Sequence, residues 1–236
     1  MSLTDSKRLA AYKAVDTHLN SDTRIIGIGS GSTVVFVVER IVQRGNAKKN
    51  KLDGKNENSN QVLEELDLDQ CVFVPTSFQI CEVFSIAFDF LVKVKSFIVL
   101  YSFRYQEIDI TIDGADEVDE NLNAIKGGGA CHLREKVVAE ISKKFIIVAD
   151  YTKRSTVLAG PIITDNGNFV IDAYFGKLDG QQFLGSDKFM FINSPSEVLK
   201  RIKLLTGVVE VGLFVGVAEI AYFGEDDGHS VGILKK

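Results

Sequence analysis

Four short apolar runs, each ending in glycine, serine or aspartate, constrain this chain most: "RIIGIG" at 24–29, "CVFVPTS" at 71–77, "IDITIDGAD" at 108–116 and "KFIIVAD" at 144–150. Runs of this length bounded by turn residues read as buried strands. Between them lie helical patterns: "STVVFVVERIVQR" from Ser32, long enough to be a helix despite its β-branched content, and the stretch from Ala130 to Lys143. An opening helix over 6–19 carries Leu9, Ala10, Tyr12, Ala14, Val15 and Leu19, mostly at helical spacing. Strands alternating with helices predict an α/β fold, a Rossmann-like, mostly parallel sheet with helices on both faces.

The pattern changes in the last third. "GPIITDNGNFVIDAYF" reads as two strands around an Asn-Gly turn, "SPSEVLKRIKLLTG" as a short capped helix, and "GVVEVGLFVGVAEIAYFGEDDGHSVGIL" as further strands with a turn at Asp226 to Gly228. The expected division is a main domain over 1–158, rejoined by 223–236, and a smaller α+β domain over 159–222. The polar stretch 45–61, rich in Asn and Lys and without a period, is expected to be a mobile surface loop.

Bulk properties exclude more than they assign. The 236 residues carry 27 basic and 32 acidic side chains, a formal charge of −5, which argues against a general binder of nucleic acid or anionic membranes. The apolar stretch 83–103 is interrupted by Asp89, Lys93 and Lys95, which leaves no run able to cross a bilayer. Three cysteines without a C-x-x-C pair and an N-terminus without a signal-like apolar core point to a cytoplasmic protein. His18, His132 and His229 lack ligand spacing, so neither a metal nor a catalytic triad is expected.

Chemistry concentrates at the strand ends. "GIGSGST" joins strand to helix, where unpaired amides and the positive helix end suit phosphate, and Ser32 and Thr33 add hydroxyls; a plain tight turn is the alternative. Its spacing is not that of a dinucleotide fingerprint. "DGADEVDE" sets five carboxylates within eight residues, with Asp113 and Asp116 at a strand's C-terminal end, the edge at which open α/β sheets bind ligands. It is no EF-hand, because Val118 stands where that loop needs glycine. A solvated turn accounts for Glu117, Asp119 and Glu120 equally well. Lys126 precedes Gly127, Gly128 and Gly129, a cation beside a backbone that a ligand can approach closely. Glu135, on the following helix, lies opposite Leu133, Val137 and Ile141 and faces either water or a cleft. Lys153 stands at another strand end, within reach of the same cleft or simply on the surface.

Taken in order, "GIGSGST", "PTSFQ", "IDGADEVD", "KGGGACHLREK", "FIIVAD", "TDNGNFVID", "GVVEVGLF" and "AYFGEDDG" closely resemble ribose-5-phosphate isomerase of the A type, over most of the chain. The resemblance implies interconversion of ribose 5-phosphate and ribulose 5-phosphate in the pentose phosphate pathway without metal or cofactor, by a homodimer or homotetramer. By motif it carries the substrate loop onto Ser30, Gly31, Ser32 and Thr33, the acid loop onto Asp113, Gly114, Ala115 and Asp116, and the lysine-glycine loop onto Lys126, Gly127, Gly128 and Gly129. Glu135 then matches the proton acceptor and Lys153 a further substrate-binding lysine. Lys126 is expected to stabilise the oxyanion, and Asp113 with Asp116 to assist ring opening and hold hydroxyls. Two departures stand out. Several tens of residues usual before "AGPIITDNGN" are missing, and 81–106 replaces a usual helix, glycine turn and short strand with an apolar segment. They motivate a rival expectation, a catalytically impaired sugar-phosphate-binding protein on the same scaffold.

Overall fold

All four apolar runs form strands in the computed structural model, which describes residues 2–52, 66–77, 80, 106–154, 171 and 194–236. They are β1 (Ile25–Ile28), β2 (Val72–Pro75), β3 (Ile110–Asp113) and, after a hairpin described below, β6 (Phe145–Asp150). The main sheet runs β2-β1-β3-β6-β8-β9, where β8 is Ile220–Gly224 and β9 is Val231–Lys235. Its pairs are parallel except the last, β8 with β9, which is antiparallel. The turn at Asp226 to Gly228 joins those two strands, as the sequence predicts.

Period-two alternation sorts the buried side chains onto two faces. Ile26, Ile28, Ile110, Ile112, Ile146, Val148 and Tyr222 pack with helices α1 (Leu3–His18) and α2 (Val34–Leu52). Phe145, Ile147, Ala149, Ala221 and Phe223 face the other way, with Ala139 of α3 (His132–Glu140). Every residue of β6 is buried, the mark of a parallel strand covered on both sides. α1 opens with a capping box, the Ser2 hydroxyl accepting from the Asp5 amide and the Asp5 carboxylate from Ser2.

Several expectations need adjustment. α2 runs on to Leu52, through the first part of the stretch expected to be a loop; residues 53–61 lie outside the described residues. Gly45 is a packing glycine there: a Cβ on it would fall 2.0 Å from the Leu68 side chain, and the residues beyond it include the helix formers Ala47, Lys48, Lys49 and Leu52. α3 is shorter than the expected 130–143. β8 begins at Ile220, so the chain rejoins the main sheet three residues before the expected 223. A second, three-stranded antiparallel sheet was not foreseen: β4 (Glu117–Val118), β5 (Ala124–Ile125) and β7 (Leu213–Phe214). The short helix of the last third is α4 (Pro195–Lys203). The expected Asn-Gly hairpin and the segment 81–105 lie outside the described residues. Among those described, no helix is long and apolar enough to cross a membrane.

The strand order places a switch point between β1 and β3, because the chain leaves β1 to form β2 on one side and later returns to form β3 on the other. In open α/β sheets the crevice at such a point, outside the carboxyl ends of the strands, is the ligand position.

Candidate active site

At that crevice the two strand ends must come close, and glycine permits it. Gly29, just past β1, donates its amide to Ile112 O at 3.0 Å, and a Cβ on it would sit 1.8 Å from Asp113 Oδ1. The next residue, Ser30, donates its amide to Asp113 Oδ1 (3.2 Å), which also accepts from Gly114 N (2.7 Å). Gly31 then takes φ +100°, a conformation that favours glycine, and the chain turns into the N-terminus of α2.

The small sheet delivers the lysine. Asp119 closes its turn by accepting from the amides of Asn121 (2.9 Å) and Asn123 (2.7 Å), so this carboxylate serves the hairpin. β5 pairs with β7, and Lys126 N donates to Gly212 O at 2.7 Å. The Lys126 side chain thereby reaches over the β3 end, donating to Gly114 O, with Nζ 3.0 Å from Asp113 Oδ1 and 3.5 Å from Glu135 Oε1. Phe214 lies beneath it, its ring centre 5.6 Å from Nζ.

Glu135 comes from the first turn of α3 and is turned inward, 4% exposed; it faces the cleft, the choice that its helical position left open. Ser30 Oγ donates to Glu135 Oε1. Asp116 Oδ2 accepts from Gly128 N at 2.8 Å, and a Cβ on Gly128 would meet Asp116 Oδ1 at 2.8 Å, so bare backbone is required where this loop folds over the acid.

These loops enclose a cavity of about 250 Å³ lined by residues 30–33, 114–116 and 126–129 with Glu135 and Lys153. The expected site residues are therefore together, with one exception. Asp113 does not line the cavity; it is wholly buried behind Lys126, with Oδ2 lacking any hydrogen-bond partner. Sequence reasoning also missed Lys7, whose Nζ donates to Ser32 Oγ at 3.0 Å from α1. A signal for it exists: at helical spacing Lys7 shares a face with the buried Ala10, Ala11 and Ala14.

Burial sets the electrostatics. It pushes the Asp113 carboxyl up to about 7, helped by the neighbouring Glu135 charge and opposed by Lys126. Burial works against charge on Lys126, but Asp113 and Glu135 outweigh it and hold the ammonium above its ordinary pKa. A charged lysine thus stands beside a carboxylate that lines the cavity, a pairing suited to removing a proton next to a carbonyl while stabilising the resulting oxyanion. Among the described residues no cluster of His, Cys, Asp or Glu is arranged to hold a metal ion.

Comparison with known proteins places this geometry in context. Residues 72–160 and 154–228 match the family described as Ribose 5-phosphate isomerase A (phosphoriboisomerase A). A ribose-5-phosphate isomerase of Mycosarcoma maydis is 43% identical over 263 aligned residues, 94% of this chain and 78% of that protein. One of Candida albicans is 38% identical, covering 98% of this chain and 96% of its own. A solved D-ribose-5-phosphate isomerase in complex with phospho-erythronic acid superposes over the whole of both chains with a TM-score of 0.70 at 27% identity.

Proposed function

Because this chain belongs to the ribose 5-phosphate isomerase A family, an aldose–ketose isomerase family, we propose that it interconverts D-ribose 5-phosphate and D-ribulose 5-phosphate through an enediolate, with Glu135 as the base. The observation that carries this reading is the burial of Glu135 in the cavity wall, 3.5 Å from Lys126.

In the open-chain aldose, the C2 hydrogen is acidified by the C1 carbonyl. Glu135 removes that proton and returns it to C1, and the O2 hydroxyl proton passes to O1 as the carbonyl moves to C2, while Lys126 bears against the oxygen on which negative charge develops. Asp113 has no surface toward the cavity, so its part is to hold Lys126 and the Ser30 amide rather than a sugar hydroxyl. Asp116 lines the cavity and remains the carboxylate placed to engage the sugar hydroxyls and assist ring opening. The phosphate is assigned to the loop that opens α2, with Ser32, Thr33 and Lys153 of the cavity lining as its donors and Lys7 bonded to Ser32 from α1. In the same reading, residues 1–158 with the returning C-terminal strands form the catalytic unit, 159–222 a shortened smaller unit, and the chain works as a cytoplasmic homodimer or homotetramer. Nothing in the site favours the impaired alternative, since base, cation and anion loop are all present.

The test is Glu135→Gln, which keeps shape and removes the base. Ketose formation from ribose 5-phosphate in metal-free buffer should fall by about 10²–10⁴-fold, with sugar-phosphate binding by calorimetry retained. Turnover unchanged in this variant would remove Glu135 from the mechanism.

A further inference from the structure

Within the loop 30–33 the hydroxyls are not equivalent. Ser32 is exposed and Thr33, as buried as Ser30, stands just before α2, whereas only the Ser30 hydroxyl is committed to Glu135 Oε1, 105 residues away in sequence. Its amide is committed as well, to Asp113 Oδ1 at 3.2 Å. Both ends of Ser30 are therefore fixed by groups of the site itself. Among the described residues, the hydrogen bond to the Glu135 carboxylate falls on Oε1, from the Ser30 hydroxyl, and the nearest approach of the Lys126 ammonium, 3.5 Å, is to the same oxygen. Oε2 accepts no hydrogen bond from the described residues.

We propose that Ser30 is a positioning residue for proton transfer: its hydroxyl anchors one carboxylate oxygen of Glu135 so that the other is presented to the substrate carbon, instead of serving as a substrate ligand. A glutamate has three rotatable bonds, and an ammonium at ion-pair distance attracts it without fixing the plane of the carboxylate. A directional hydroxyl donor does fix it. The bond also survives the reaction, because a Glu135 protonated on Oε2 still accepts at Oε1. Ser30, Lys126 and Asp113 thus form one connected set around the base, and only Ser30 can be shortened without leaving a charge unpaired.

This inference rests on Glu135 being the base, so Glu135→Gln is assayed alongside. For Ser30→Ala, kcat should fall roughly 30- to 100-fold, the order expected when a reacting group loses its alignment, while KM stays within about threefold. The deuterium isotope effect with ribose 5-phosphate labelled at C2 should rise, as proton abstraction becomes more rate-limiting. Ser30→Thr, which restores a hydroxyl, should recover most of the lost kcat. A rise in KM with kcat held, kinetics like the wild type, or equal losses in the alanine and threonine variants each overturn the proposal. An inactive Glu135→Gln beside an unaffected Ser30→Ala overturns this inference alone; an active Glu135→Gln overturns the assignment of the base.

Discussion

The two ends of the cavity are built in opposite ways. At the inner end Lys126 and Glu135, with Asp113 covered behind them, are each 5% exposed or less, packed into one charge cluster with a lysine between two carboxyl groups. At the outer end Gly31 and Ser32 are exposed, Lys153 is half-buried, and the Lys7 side chain that bonds Ser32 keeps a fifth of its surface. In the proposed reaction the two ends have different tasks. Proton transfer gains from a dry site, where an ammonium acts on developing charge without water screening it. Holding a dianionic phosphate gains from backbone amides and cations that can be hydrated between turnovers. Fold and function should therefore be coupled at the inner end and separable at the outer one.

Lys126→Met strains that contrast hardest. It leaves Asp113 and Glu135 buried without their cation, and breaking a buried pair in this way costs about 3–5 kcal/mol, a fall in Tm on the order of 10 °C for a chain of this size. Turnover should drop at least about 10²-fold, the order seen when one oxyanion-stabilising donor is removed. A variant with wild-type Tm would show that the cluster contributes nothing to the fold. Lys153→Ala is the counterpart. KM for ribose 5-phosphate should rise about tenfold, or roughly 1.4 kcal/mol, with kcat within about twofold and Tm unmoved, and the KM difference should shrink as salt is added. A lowered Tm with unchanged KM would reverse the assignment of this end.

Sequence patterns reveal the inner and outer ends unequally, for physical reasons. The loops at 30–33, 113–116 and 126–129 are legible because glycine, aspartate and lysine at strand ends have few structural uses, and strand ends gather on one edge of a parallel sheet. The role of each residue, by contrast, came from family resemblance. The orientation of Glu135 was not legible, since a helical position opposite an apolar stripe suits solvent or cleft alike until another element packs against it. The β4-β5-β7 sheet was invisible because two-residue strands have no periodicity, and its pairing of Ala124 with Phe214 joins segments ninety positions apart. The resemblance gave Asp113 a share in holding hydroxyls; Gly29 draws β1 so close that the carboxylate is covered instead. The stretch from Gly45 misled in the opposite sense, read as loop for its polar, aperiodic composition although α2 continues through its first part, with Gly45 close against Leu68.

The finest test of the comparison is the pH dependence of stability, which only the buried end should generate. Asp113 has its folded-state pKa pushed to about 7, above the ordinary carboxylate value that it regains on unfolding. Between the two values the folded chain holds a proton that the unfolded chain has released, so stability falls as pH rises. This contribution is fully present below the ordinary carboxylate range and is gone once pH passes about 7. Other groups titrate in the same window, so the informative quantity is the difference between the protein and Asp113→Asn, whose amide keeps an oxygen for Ser30 N and cannot ionise. From pH 4 to 7.5 the wild-type Tm should decline relative to the variant by a few degrees, since about 1 kcal/mol moves Tm by roughly 2–4 °C in a domain of this size. Melting curves that keep a constant offset across the window would mean that Asp113 is ionised throughout and fully compensated by Lys126. The inner end would then be a settled ion pair, and its burial would carry no cost that pH can expose.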